Sequence, residues 1–541
     1  MTEIDPNKPI NFFNKDGSKW SYDEKTKIIT TTDVSYDMPA GGLGPLLYNS
    51  MKKHGDDVAQ VVAVTGEEDK YSSLLKRSVR LAMELRARGL GRNDIITTCS
   101  RHHLDGIVPA IAAALAGVTL CNIDADMSVN DNKILLDQIE PKMIFASEAT
   151  EELVEKASAD IQTKIVVFGK TERNLCYQDL IQPKEGEDSF TPYYAENLDE
   201  TAMMFFSSGT TGMPKAICMS HKFMYNQCKD FEKVECFLIY SSLYWSTTIN
   251  FALGLIIAGG TKLVPPVFNP TQTWEFFDKY NVDVLYMTPI MIARVISVQP
   301  EGNYSSLKLV LLGGTGISME HMKRLRSSLP NTLVLLTFGQ TEIGMGCNPF
   351  DPCIKDKLLS VGTPIPGCSY KIVDSETNEN LGPNERGELL IKSAWRMTGY
   401  YKRDNKNVIE ADGFVRTGDI AYFDEDFCFF IVDRIKEMFK YNGYHIVPKK
   451  LESILETHPA VHLAIVVGIP NVATGEEPLG VVIKNEGSEV SEAELIEYVN
   501  EKVDDFHKIR AGIRFVETFP TTATGKIRRR LLRDRFINGE L

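Results

Sequence analysis

The sequence is short of several things that announce a function. Its 10 cysteines form no CxxC pair and no Cys/His cluster at metal-ligand spacing. Most sit in apolar stretches, as Cys121, Cys218 and Cys428 do, so they read as buried free thiols and point to a reducing compartment. There is no surplus of positive charge. The balance of 59 basic against 73 acidic residues, net −14, argues against a non-specific nucleic-acid binder, and a bound polyanion would need local basic side chains. The opening MTEIDPNKPINFF lacks a basic segment followed by an apolar one, so no secretory signal is expected. The most apolar long stretch, 106–121, contains Pro109 and falls short of the roughly 20 residues of a membrane span. It reads as a core helix followed by a strand. No internal repeat and no low-complexity linker is present, and the last residues are Gly539-Glu540-Leu541, not a peroxisomal Ser-Lys-Leu.

What remains is the composition of a soluble globular chain, 43% hydrophobic and 24% charged, and at 541 residues long enough for two or more domains. Leu75, Val79, Ala82 and Met83 share one helical face, with Gly89 as a C-terminal stop. Short apolar runs at 95–98, 118–123, 143–146, 165–168, 202–206, 284–287, 309–312 and 333–337 read as strands separated by helices, which implies parallel sheets with covered faces. From about 360 to 432 the texture changes to short β-like pieces, 369–374, 387–392 and 427–432, punctuated by Gly and Pro. After Asp433-Arg434 an α+β unit of about 105 residues follows, with Ser491 and Glu494 spaced as a capping box. The expected fold class is α/β: a large domain at 1–433 carrying a β-rich subdomain at about 360–432, then a small C-terminal α+β domain at 434–541, joined by a short hinge.

The segment 205–215, FFSSGTTGMPK, carries Ser207, Ser208, Gly209, Thr210, Thr211 and Gly212 in one turn, with Lys215 after them. Glycines let backbone N–H groups converge on an anion, and the hydroxyls add donors. Alone, the same residues also read as a polar turn between strands. Two familiar nucleotide motifs fail. Five residues beyond Gly209 stands Pro214, and Gly525-Lys526 has Pro520 where a P-loop needs its first glycine, with Ile527 next. No strand-linked GxGxxG occurs either.

The arrangement resembles instead the AMP-forming adenylation family of acyl-CoA synthetases, coumarate–CoA ligases and insect luciferases. Residues 207–215 are similar to its phosphate loop, Phe338-Gly339-Gln340-Thr341-Glu342 to its aromatic-Gly-x-Thr-Glu motif, and Arg416-Thr417-Gly418-Asp419 to its Thr-Gly-Asp motif. Asp433-Arg434 through Lys440 and Gly443 resembles the hinge segment, and Pro520 through Gly525-Lys526-Ile527-Arg528 the C-terminal lysine motif. Five motifs in order span about residues 45–535. The resemblance implies a luciferase-like fold with a mobile small domain, and it implies roles. Residues 207–212 would hold the β- and γ-phosphates of ATP, with Lys215 on the loop or the leaving pyrophosphate. Thr341 would donate to the α-phosphate and Glu342 would ligate Mg2+, although the Thr-Glu pair also reads as a helix N-cap. Asp419, reinforced by Arg434, would accept from the ribose hydroxyls, and adenine would lie between Gly313-Gly314-Thr315 and Phe338-Gly339. Lys526 would stabilise charge as a carboxylate attacks the α-phosphorus; beside Arg528, Arg529 and Arg530 it also reads as part of a basic tail. Lys436 would be the pivot, and Lys440 with Gly443 would serve the thiol-transfer half-reaction after domain rotation.

In one place the pattern departs. The substrate-lining stretch 242–247 holds Trp245 where luciferases and many ligases have histidine, which puts a luciferin pocket in question. Tyr244, Trp245, Thr247 and Gly344 are the expected acyl-pocket residues, and Ile343-Gly344-Met345-Gly346 leaves space for a medium or long aliphatic or an arylalkyl acid. The expectation is an ATP- and Mg2+-dependent acid–thiol ligase that makes acyl-AMP and then acyl-CoA, with no nucleic-acid partner and a cytoplasmic location; a peroxisomal one enters by family analogy alone. Two alternatives stand beside it: an adenylating enzyme with another acceptor, as in luciferase oxygenation, and a catalytically silent acyl- or nucleotide-binding paralogue.

Overall fold

The computed structural model describes residues 20–32, 38–207, 214–229, 231, 234–298, 304–403, 408–442, 444–521 and 527–541, the side chain at 352 excepted. The short apolar runs become strands almost where the sequence puts them: Ile95–Cys99, Met143–Ser147, Lys164–Phe168, Thr201–Phe206, Val284–Met287, Leu309–Leu312 and Leu333–Leu336. They are split between two sheets. One runs Gly399–Tyr400, Ala216–Ser220, Thr201–Phe206, Thr119–Cys121, Ile95–Cys99, Met143–Ser147, Lys164–Phe168 and Leu175–Cys176. The other runs Leu333–Leu336, Leu309–Leu312, Val284–Met287, Cys236–Ile239, Thr261–Val264, Val58–Val62 and Glu68–Lys70. Most neighbours are parallel, as strands joined by crossover helices should be.

Helices cover these sheets because their apolar positions recur at helical spacing. Tyr71–Ala87 buries Leu74, Ser78, Leu81, Ala82 and Leu85 on one face and ends before Gly89, whose φ of 81° suits a glycine. All nine residues of Val108–Ala116 are buried, and it packs against Leu43–His54 and Tyr71–Ala87. Each large side chain so buried contributes about 1.5–3 kcal/mol. Among the described residues no helix is long and apolar enough to cross a membrane.

One expectation changes. Thr201–Phe206 is parallel to Thr119–Cys121 but antiparallel to Ala216–Ser220, in register from Met203↔Met219 to Phe206↔Ala216 after an irregularity between Thr201 and Met203. The glycine- and hydroxyl-rich segment therefore joins two hydrogen-bonded strands, and Ser207 N–H donates to Lys215 O at 2.9 Å. Its flanks stand at the carboxyl end of a parallel strand, where α/β sheets bind ligands, and residues 208–213 themselves lie outside the described residues.

The β-rich part is an antiparallel sheet, in order Trp20–Asp23, Ile28–Thr31, Cys368–Val373, Gly387–Ser393, Val415–Phe423 and Phe429–Arg434, so it recruits strands from near the N-terminus that composition did not assign to it. Its last strand begins at Phe429 rather than 427, because Phe427 takes φ 59° in the preceding turn. Only residues 435–438 separate that strand from Phe439–Tyr441, the first strand of a separate five-stranded sheet. There Val461–Asn471 and Gly475–Lys484 form a long hairpin flanked by helices Pro448–Leu455, Glu492–Asn500 and Arg529–Ile537. Ser491 caps its helix by accepting from Glu494 N–H at 3.2 Å, while the Glu494 carboxylate faces His458 at 3.9 Å.

Candidate active site

Two loops and two strand ends meet at the large domain's edge. Gly313 and Gly314 follow Leu309–Leu312. A Cβ on Gly313 would fall 2.4 Å from the Tyr286 hydroxyl and 2.6 Å from Thr337 Oγ1, so only glycine lets the backbone lie there. Thr341 and Glu342 occupy the tip of a two-stranded hairpin, Gly339–Gln340 with Gly344–Met345, not the helix N-terminus that a Thr-Glu pair also allows. Glu342 Oε1 accepts from Tyr400 OH at 3.2 Å, and the same Tyr400 ring lies 4.9 Å from Lys215 Nζ. Burial pushes the Glu342 carboxyl above its ordinary range, against the pull of Tyr400, Arg434 and Lys215.

Asp419 is 2% exposed and pairs across the sheet with Arg434. Arg434 Nε stands 3.1 Å from Asp419 Oδ1, and Gln340 Nε2 donates to Asp419 Oδ2 at 2.5 Å and to Thr417 O at 2.6 Å. The carboxylate is thus held at both oxygens before any ligand arrives. Gln340 was passed over as the variable position of its motif. Lys436 also belongs to this neighbourhood: burial, then Arg434, lowers its ammonium below the ordinary lysine range.

A cavity of about 220 Å³ opens from this cluster into the large domain. Ser207, Trp245, Thr247, Gly314, Phe338, Gly339, Thr341, Glu342, Gly344 and Arg434 line it, all read from the sequence. Tyr244 does not. It is 3% exposed, packed at 5.0 Å against Trp245 and stacked 6.3 Å from Phe206, so this expected acyl-pocket residue is core. Asn226, Gln227 and Asn250 line the cavity unforeseen. Asn250 had a signal: it is a polar residue in the apolar helix Ser246–Ala258, three positions from Thr247 and on the same face. Among the described residues its buried Oδ1 has no hydrogen-bond partner.

A second cavity, about 1760 Å³, separates the two domains. Thr315, Asp419 and Lys436 line it from one side, Lys449, Arg529 and Arg533 from the other. The cavities share Gly314, Thr337, Phe338, Gly339 and Arg434. Lys440 lines neither; it lies exposed on Phe439–Tyr441, paired with His445. Ser208, Gly209, Thr210, Thr211, Gly212, Gly443 and Lys526 lie outside the described residues. Among the described residues no group of three or more His, Cys, Asp or Glu side chains could hold a metal.

Two α/β sheets, a β-rich sheet and a small α+β domain meeting at paired cavities define an adenylate-forming enzyme of luciferase-like fold. The chain belongs to the AMP-binding enzyme family: residues 47–401 match that family and residues 450–526 its C-terminal domain. It is an AMP-forming enzyme of the acid–thiol ligase type. It is 28% identical over 539 residues to the luciferin 4-monooxygenase of Photuris pensylvanica, covering 95% of this chain and 98% of that one. It is 34% identical over 350 residues to a probable 4-coumarate–CoA ligase of Dictyostelium discoideum, covering 62% of this chain and 63% of the other. The solved luciferase-like enzyme of the nonluminescent mealworm Zophobas morio superposes with a TM-score of 0.71 at 32% identity, over 75% of this chain and 99% of that one.

Proposed function

We propose that the protein activates an arylalkyl or medium-chain aliphatic acid with ATP and passes the acyl group to CoA. The observation that carries this is the junction: a small cavity for an acid and a larger one, lined by several cations, for nucleotide and thiol share Gly314, Thr337, Phe338, Gly339 and Arg434. An acid in the small cavity presents its carboxylate where ATP in the large one presents its α-phosphorus, so reactants are held for in-line attack. At about 220 Å³ the cavity lies below the ~300–1,000 Å³ usual for ligand pockets, which favours a compact acid over the long alkyl chain that the sequence left open. The amides of Asn226, Gln227 and Asn250 favour one with a polar substituent, because Asn250 Oδ1, unpaired among the described residues, is a buried acceptor awaiting a donor.

In this reading Asp419, preset by Gln340 and Arg434, accepts from the ribose. Lys215 and the segment 207–212 hold the β- and γ-phosphates, and Lys526 neutralises the two anions as they meet. Glu342 fits a Mg2+ ligand: it is a half-buried carboxylate on the small cavity's wall, and Mg2+ takes one or two carboxylates beside phosphate oxygens and water. The metal would offset charge on the departing pyrophosphate. The small domain, pivoting at 435–438, would then bring Lys440 and Gly443 to the acyl-AMP for attack by the CoA thiol. The test is pyrophosphate exchange into ATP across a panel of acids, followed by AMP release with and without CoA. Exchange with compact substituted acids and CoA-dependent AMP release support the proposal. Exchange without CoA-dependent release would favour another acceptor, as in luciferase, and no exchange with any acid would favour a silent paralogue.

A further inference from the structure

Two of the cysteines face each other. Cys353 Sγ and Cys428 Sγ stand 3.2 Å apart although 75 residues separate them in the chain. Cys353 is exposed and Cys428 buried. Both are held from their backbones: Cys353 N–H donates to Asp351 Oδ1 at 2.9 Å, and Cys428 N–H to Asp424 Oδ1 at 2.9 Å. Asp351 Oδ2 in turn accepts from Thr363 Oγ1 at 3.0 Å. Lys357 Nζ lies 3.4 Å from Cys428 Sγ, fixed there by Asp424 Oδ2 at 2.5 Å and Asp426 Oδ2 at 2.7 Å. The pair is chemically unequal. The hydrogen bond from Cys353, and then Lys357, make the Cys428 thiol more acidic than usual against its burial and Asp424, while the same bond holds the Cys353 proton more tightly.

A disulfide needs its sulfurs at about 2.05 Å, so closure requires an approach of about 1.2 Å between two already anchored loops. We propose that Cys353 and Cys428 are a redox-active dithiol that a peroxide-class oxidant closes to a disulfide. With its proton passed across the 3.2 Å contact to Cys428, the exposed Cys353 sulfur takes one oxygen from the peroxide, giving the sulfenic acid and one water. The Cys428 thiolate then attacks that sulfur; the S–S bond forms, the S–O bond breaks, and the hydroxide leaves as a second water with the proton Cys428 gave up. In sum two thiols and one peroxide give one disulfide and two waters, with two electrons passing from sulfur to oxygen. The bond would tie the loop three residues beyond Phe350, which lines the 220 Å³ cavity, to the strand Phe429–Arg434 that ends at the junction.

The test is peptide mapping of the full-length protein, without reductant, after graded hydrogen peroxide. The expected product is a 353–428 cross-linked peptide two hydrogens lighter than its parts, restored to free thiols by dithiothreitol. Cys353→Ser, an exposed change whose folding is checked by its melting curve, should leave Cys428 with no cross-link. Lys357→Met should slow cross-linking several-fold. Cys353 driven to sulfinic acid while Cys428 stays a free thiol would overturn the proposal, as would cross-links that join either residue to other cysteines instead.

Discussion

The two cavities differ in almost every physical respect. The smaller is built inside the large domain, largely from apolar side chains and neutral amides, with Glu342 and Arg434 among them; the larger lies between two domains and is lined by Lys436, Lys449, Arg529 and Arg533 together with carboxylates such as Asp433 and Glu476. Cations on facing walls offset a polyanion's charge, yet the walls belong to bodies joined by residues 435–438. The small domain nonetheless has a firm contact at this hinge. Arg529, half-buried, pairs with Glu452 and stands 3.0 Å from Glu437, while Asp433 accepts from Lys449 N–H at 3.1 Å. In the proposed function this contrast divides the labour: acid choice would rest on packing within the large domain, whereas nucleotide and thiol handling would change with the domain angle.

Substitutions at the junction should break this division first. Glu342→Gln should cut acid-dependent pyrophosphate exchange on the order of 10²–10³-fold while leaving acid affinity, read by fluorescence titration, nearly unchanged. Gln340→Leu removes the donor to Asp419 and Thr417; the KM for ATP should rise on the order of tenfold with the KM for acid unaltered. Asn250→Leu acts in the opposite cavity. It should shift the kcat/KM ratio between a hydroxylated acid and its unsubstituted analogue about tenfold toward the latter, without moving the KM for ATP.

The smallest effect is one of pH. Glu342 must be ionised to bind a metal, and burial raises its pKa, so the acid limb of adenylation should lie above the ordinary glutamate range. Tyr400→Phe removes a hydrogen bond that favours the charged form, so the limb should move further up in pH. A pH–rate profile unchanged by this substitution would detach Tyr400 from the site.

Much of the scaffold was legible because its strands are short, buried apolar runs such as Leu309–Leu312 and residues 143–146. The pairing partner of Thr201–Phe206 was not, since a polar glycine-rich segment between apolar runs fits a hairpin as well as a strand–helix turn. Nor was the contribution of Trp20–Asp23 and Ile28–Thr31 to a sheet formed some 340 residues later, because nothing local specifies a distant partner. At the site, Asp419, Arg434 and Glu342 were found through motifs. The amides of Gln340, Gln227 and Asn226 carry no spacing signature, and their placement follows from tertiary packing alone. Tyr244 and Trp245 show the limit most clearly: adjacent residues point opposite ways, one into the core and one into the cavity.

The central claim is that acyl-AMP formation and thiol transfer use different residues around one junction. Single-turnover kinetics of Lys526→Ala test it most directly, with the two half-reactions measured separately. Formation of acyl-AMP from acid and ATP should fall on the order of 10²–10³-fold, while CoA-dependent thiolysis of pre-made acyl-AMP should proceed as in the unmodified protein. Equal loss of both half-reactions would contradict it.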